Sequence, residues 1–387
     1  MNSRRQFLMR APLGLAAALT ACKTETREPS AVSAATNAAK ESGTFATTAS
    51  VENAASTTHP APLLASAPSA APVLTYTPTH EELVYTFGGA APKHHISSGT
   101  RIVAWTEDCF DGAVKTSKDL PSKVMTAGHD NPQTGPFFID GAEAGDTIAV
   151  HILKLEPARN YAVSSFGPGF GALVGTDKTA MLGDDFPEMT WRYDVDAKRH
   201  VARGVSSDGK HAWEVPMAPF LGCLGVAPAN GEVRTTIVPG PFGGNMDCPE
   251  VRAGNTVFLG VNVPGALLSF GDGHYAMGDG EIMGAAIEGA MNVDVYVEVI
   301  KRKFAAVPRI ENSSEVMFVG SGRPLEDTSR VAFKAMVNWV REQTSMTLMD
   351  AFQFVSQNAR ATIVQLVDPE YTVMVKIDKA RLPTAVR

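Results

Sequence analysis

The chain holds 387 residues, 44% of them hydrophobic and 19% charged, with a formal net charge of −7. That length and apolar share support a sizeable buried core in one large domain or two smaller ones. The acidic balance disfavours a nucleic-acid partner.

The first 22 residues, MNSRRQFLMRAPLGLAAALTAC, carry the pair Arg4 and Arg5 inside SRRQFL, then a short apolar run from Ala11 to Leu19. The run is too short to span a bilayer and reads as the apolar part of an export signal. SRRQFL resembles a twin-arginine signal, which exports proteins already folded, and Leu19-Thr20-Ala21-Cys22 resembles a lipoprotein cleavage box with Cys22 as the lipidated first residue. The expected destination is the periplasm or cell envelope, with the membrane touched only through that anchor. Losing Arg4, Arg5 and Arg10 from the 34 basic residues leaves 31 against 41 acidic ones, a formal charge of about −10.

Residues 23–72 are mostly Ala, Ser, Thr and Pro, a composition that cannot bury enough surface to offset ordering entropy, and they read as a disordered tether. Cys109, Cys223 and Cys248 remain, an odd number without metal-finger or CxxC spacing, so no disulfide framework is expected and at least one thiol stays free.

From residue 73 the pattern turns to short apolar stretches of period two. Thr147 to Ile152, Thr256 to Val263 and Val293 to Val299 read as strands, opened by turn residues at Gly145-Asp146 and Ala253-Gly254-Asn255. A helical period comes only later: Leu325 to Gln343 carries Ala332, Ala335, Met336, Trp339 and Val340 at spacings of three and four. Thr347 with Asp350 then resembles a capping box opening a helix expected to bury Leu348, Ala351, Phe352 and Val355. A strand from Tyr371 to Ile377 closes the chain. The expected class is α+β: a β-rich, sandwich- or barrel-like body with two C-terminal helices and a closing strand.

The densest chemistry is LLSFGDGHYAMGDGEI, residues 267 to 282, where Asp272, His274, Asp279 and Glu281 sit among glycines. Residues at i and i+2 of extended chain point the same way, so Asp272 and His274 have the spacing of two ligands of one metal ion. A surface turn is the plainer alternative. Glu288 lies in an apolar setting, where a carboxylate must be paired, metal-bound or protonated. Trp105 to Gly112 places Glu107, Asp108 and Asp111 together, and Glu107 and Asp111 read as solvated loop carboxylates. Asn131 to Pro136 and Gly141 to Asp146 read as rigid packing turns. Phe166 to Gly171 is glycine-rich but lacks the lysine and helix of a phosphate loop. GxSxG and HExxH do not occur, so a nucleophile-elbow serine hydrolase or familiar zinc protease has no motif support.

Several blocks together resemble the acetamidase/formamidase family. They are TEDCFDGAV (106 to 114), NPQTGPFFIDGAEAGDTIAVHIL (131 to 153), PMAPFLGCLGVAP (216 to 228), the stretch from Gly240 to Glu288 with its GGN-x-D, GD-x-H and GDGE motifs, and the tail PLEDTSRVAFKAMVNWV with QLVDPE. The resemblance implies a catalytic domain over 73–387 that hydrolyses small carboxamides, with lactams as an alternative, uses a divalent metal, zinc, and forms a homo-oligomer. A small-ligand-binding lipoprotein without activity is the other reading kept open. Carried over by position, Asp108, Asp272 and His274 are the expected metal ligands. Glu281 or Glu288 is the expected proton carrier, Asn245 beside Asp247 the expected oxyanion donor, and Met277, Asp279 and Glu143 the expected substrate contacts. Met277 stands where family members commonly have Gln, which shifts the expected substrate toward less polar groups.

Overall fold

The computed structural model describes residues 67–167, 169–174 and 186–383. The export signal, Cys22, most of the tether and Pro168 lie outside the described residues. The first strand, Val73–Tyr76, pairs in parallel with Thr100–Thr106 and so starts the body at the expected place.

Two large open sheets make up that body. One has nine strands, with Thr100–Thr106, Met291–Ile300, Thr147–Pro157 and Thr256–Gly260 as neighbours at its centre. The other has ten, with Phe220–Gly225, Leu268–Ala276 and Ile287–Glu288 side by side. Ile102, Val150, Val257 and Val295 of the first share one core cluster with Leu221, Leu224 and Phe270 of the second. Neither sheet closes on itself, so the body is a sandwich rather than a barrel.

The period-two stretches form strands at the expected places, with shifted ends. Thr147–Pro157 and Met291–Ile300 run longer than the alternation, and Thr256–Gly260 stops before Val261. Gln133–Asp140, whose first four residues fall in the stretch from Asn131 to Pro136 read as a turn, is a strand paired with Leu268–Ala276. It is buried along nearly its whole length, and a strand covered on both faces carries no polar alternation to betray it.

Glu315–Gly322 shows how the C-terminal helices attach. Met317 and Val319 point into the inter-sheet core, while Val316 and Phe318 point the other way, into a cluster with Ala332, Met336, Val340, Ala351 and Val355. Those residues belong to helices Leu325–Thr344 and Leu348–Asn358. The Thr347 hydroxyl caps the second helix by accepting from the Asp350 N–H at 3.2 Å. Leu348 and Phe352, expected in the core, are exposed, because Ala351 and Val355 take the face turned to the sheet. The closing strand is present as Tyr371–Asp378, with an additional edge strand, Arg360–Gln365, beside it. Among the described residues no helix is long and apolar enough to cross a membrane.

Candidate active site

All nine residues of Leu268–Ala276 are buried. Glycine makes that possible: a Cβ at 271 would meet the Pro132 carbonyl at 2.4 Å, and one at 273 the Gly289 carbonyl at 2.4 Å. Asp272 sits between them in the left-handed region, φ 58°, a conformation an aspartate holds only when its surroundings enforce it.

His274 is the hub. Its register partner on the neighbouring strand is Glu288. Its Nε2 lies 3.2 Å from Asp272 Oδ1, 3.3 Å from Glu288 Oε2 and 3.7 Å from Asp247 Oδ1, all in side chains at most 2% exposed. Phe220 packs edge-on against the imidazole, centroids 4.7 Å apart. Asp247 follows the short strand Gly243–Asn245 and also has a positive φ, 47°. Glu281 reaches the same place from the loop after Ala276, with a ligand atom within 4.8 Å of those of His274 and Glu288. That loop is tied to the C-terminal strands by Gly280 N–H to Val364 O and Leu366 N–H to Gly280 O, which brings in Asp368.

Three buried carboxylate oxygens, Asp247 Oδ1, Asp272 Oδ1 and Glu288 Oε2, have no hydrogen-bond partner, and neither does His274 Nδ1. Orphans of this kind are costly and rare unless something else binds them. Donor atoms around a tetrahedral ion at ordinary zinc distances stand about 3.3–3.6 Å apart, and the separations from His274 Nε2 bracket that range. The donor set fits a divalent metal.

The charge balance agrees. Burial would depress the His274 imidazole, but Glu288, Asp272 and Asp247 outweigh it and lift it to about 10. Burial pushes the Asp247 carboxyl up to about 6 despite His274. Glu281, Glu288 and Asp368 are driven well above the usual carboxylate range, by burial first and then mainly by neighbouring carboxylates. A divalent cation carries twice the charge of one imidazolium and would offset more of these carboxylates than His274 alone can.

Other expected site residues have different surroundings. Asp108 is buried, but Arg159 Nη1 donates to its Oδ2 at 2.7 Å, and the N–H groups of Phe110 and Gly112 donate to Oδ1, both at 3.0 Å. Both oxygens are occupied, so Asp108 is absent from the groups able to share an ion, and Asp247 stands where it was expected. Glu107 is buried too, bonded to Arg159 Nη2 at 2.6 Å, and Asp111 is held by Tyr85, so neither is a solvated loop carboxylate. Asn245 donates both amide hydrogens to carboxylates, Asp247 at 3.0 Å and Asp368 at 2.8 Å, leaving none for an oxyanion. Glu143 is exposed and pairs with Lys301. Met277 is half-buried and Asp279 exposed, on the loop that turns Glu281 inward.

Three participants lie in the matching blocks but are not singled out from the sequence. Asn131 donates to Asn245 Oδ1 at 3.0 Å and Asp272 Oδ2 at 3.4 Å. Asp368 lies in the QLVDPE block, 80 residues beyond Glu288. Gly222 faces Asp272 across the sheet. A chain-wide pattern is a better guide than any of these residues alone, and the profile described as the Acetamidase/Formamidase family matches residues 89–233 and 229–372. The chain belongs to the acetamidase/formamidase family.

The solved acetamidase from Yersinia enterocolitica is 35% identical, with a TM-score of 0.73 covering 80% of this chain and 94% of that one. The acetamidase from Bacillus halodurans is 27% identical, with a TM-score of 0.71 covering 80% and 100%. An acetamidase from Mycolicibacterium smegmatis is 29% identical over 216 residues, 43% of this chain and 53% of that protein. The chain spans a little over half the length of the curated relatives it matches. In family terms, GD-x-H and the AIE segment supply Asp272, His274 and Glu288 to the cluster, and GGN-x-D supplies Asp247. The matching DCFDG block supplies Asp108, which pairs with Arg159 instead.

Proposed function

We propose that this protein is a metal-dependent hydrolase of small linear carboxamides that releases ammonia. The observation that carries the reading is the convergence of three unpartnered buried carboxylate oxygens on His274 in a chain of this family. The relatives, named as acetamidases, suggest the substrate class.

Asp247, Asp272 and His274 would hold the ion, with Glu288 beside them, and imidazole with carboxylates suits zinc. Such an ion supplies a water of lowered pKa and polarises the amide carbonyl. Glu281 groups with His274 and Glu288 but not with Asp247 and Asp272, which leaves it to take the water's proton and return it to the departing nitrogen. A carboxyl lifted well above its ordinary range suits a group that must both accept and give back a proton. Asn245 is a positioning residue that holds Asp247 against Asp368. Met277, on the loop carrying Glu281, keeps its expected role as a less polar substrate contact.

The full chain, purified from metal-replete medium, should contain a divalent ion that is lost in His274→Ala, and should release ammonia from short linear amides. Release from lactams alone would redirect the reading to cyclic amides, and an ion without release from any amide would favour a binding protein. Metal content indifferent to His274 would overturn it.

We also propose envelope localisation through SRRQFL and a lipid anchor at Cys22. Cys22→Ala should move the protein from the membrane to the soluble envelope fraction, and unchanged partitioning would refute the anchor.

A further inference from the structure

Apart from the His274 cluster, His80, Asp111 and His129 bring three ligand atoms within 4.8 Å of one another. Asp111 Oδ2 is 3.3 Å from His80 Nε2 and 3.2 Å from His129 Nδ1. The aspartate side chain is 8% exposed, against 59% and 37% for the imidazoles, so a buried carboxylate forms the floor and two imidazoles open toward solvent.

Each part is held from behind. Asp111 has a φ of 57° and donates its N–H to the Asp108 carbonyl at 3.1 Å. The Tyr85 hydroxyl donates to Asp111 Oδ1 at 3.0 Å, which leaves Oδ2 to face the imidazoles. The Tyr85 ring stacks on His129, centroids 4.3 Å apart, and fixes its plane. His80 opens a short turn locked by Glu82, whose carboxylate accepts from the Thr79 N–H at 2.8 Å. A carboxylate oriented by a hydroxyl through its other oxygen, and an imidazole fixed by stacking, are the supports that ligands of a metal ion ordinarily have.

We propose that His80, Asp111 and His129 form a second divalent metal site, with two imidazoles and one carboxylate as its protein ligands. Separations of 3.2 and 3.3 Å are those of ligand atoms about a tetrahedral ion. Imidazole nitrogen in the majority selects a zinc-like transition ion over calcium or magnesium, which prefer all-oxygen surroundings.

The site lies on the two segments that wall the first one. Asp111 is two residues beyond Cys109, whose sulfur groups with Asp272 and Glu288, and His129 is two residues before Asn131, which bonds Asp272. The segments are joined by the Asn131 N–H donating to the Cys109 carbonyl at 3.0 Å. An ion here would clip the His80 turn onto both walls. The proposal does not rest on the amidase reading.

The test is metal stoichiometry by elemental analysis on the full chain, stripped with chelator, reloaded with zinc or cobalt(II) and dialysed, with cobalt absorption reporting the ligand field. Wild type should hold two ions. His80→Ala and His129→Ala should each hold one, while their chelator-stripped forms melt as stripped wild type does, since both imidazoles are partly solvated, and His274→Ala should keep the ion that depends on His80. A tenfold excess of magnesium or calcium should not displace it. Stoichiometry and cobalt spectrum unaltered in both His80→Ala and His129→Ala would overturn the proposal and leave a hydrogen-bonded trio. If the His274 reading alone fails, wild type would carry one ion, lost with His80 or His129.

Discussion

Gly222 lies directly opposite Asp272: Leu221 pairs with Gly273 and Cys223 with Gly271, and a Cβ at 222 would stand 2.2 Å from Asp272 Oδ2. The same atom would lie 2.7 Å from Asp247 Oδ1 and 2.8 Å from His274 Nε2. Glycine here is a requirement of the cluster, since its absent side chain is the room the ligand atoms occupy. Gly222→Ala should therefore displace the carboxylates, lower metal affinity at least tenfold and reduce stability by about 1–3 kcal/mol. Titration calorimetry and thermal melts on the same preparation would check this, and undiminished affinity would show that the ion sits elsewhere.

The ion pairs with Arg159 hold Asp108 and Glu107 apart from the His274 cluster. Asp108→Asn should keep the metal of the His274 cluster, whereas Asp247→Asn should lose it. Arg159→Met should leave Glu107 and Asp108 buried without their cation, at a cost of roughly 3–5 kcal/mol, readable in denaturant unfolding. Metal lost from Asp108→Asn with the fold intact would restore Asp108 as a ligand.

These contrasts show what a linear reading can reach. Alternation marked the strand at Met291, whose first neighbouring positions lie in unlike environments, and the strand at Thr147 was found although its first six residues are all buried. Alternation missed Gln133–Asp140, which is covered on both faces. Spacings of three and four found both helices but could not tell that Leu348 and Phe352 face solvent, because only the position of the sheet decides which side of a short helix is covered. Asp272, His274 and Glu288 were legible as ionisable groups on buried or glycine-rich backbone. Asp247 was visible only beside Asn245 in a family motif, and Asn131, Gly222 and Asp368 join through sheet register and loop anchoring. Asp108 misled because its partner, Arg159, lies 51 positions away with no local mark.

The two glutamates should part company. Glu281→Gln should lower kcat by 10²–10⁴-fold, the span usual for loss of a proton carrier, and keep its metal. Glu288→Gln, with its Oε2 among the unpartnered oxygens, should lose affinity for the ion as well as turnover. Metal content and ammonia release on the same samples would distinguish them, and equal metal loss in both would make Glu281 a ligand.

Acidity tests the cluster as a whole. Without metal, Asp247 at about 6, the strongly raised Glu281, Glu288 and Asp368, and His274 at about 10 all hold protons more tightly folded than unfolded. For such groups the stabilisation is complete below the unfolded pKa and is lost as pH rises through the folded one. The metal-free protein should therefore lose stability as pH climbs through about 6 and on toward about 10. The ion acts with the opposite sign, because its ligands must shed those protons, and affinity should rise roughly tenfold per pH unit for each proton released. The gap in melting temperature between zinc-loaded and chelator-treated protein should thus widen steadily with pH. A His274→Ala variant should lose most of that slope, whereas a gap that stays constant in wild type would mean that the carboxylates around His274 do not give up protons to an ion.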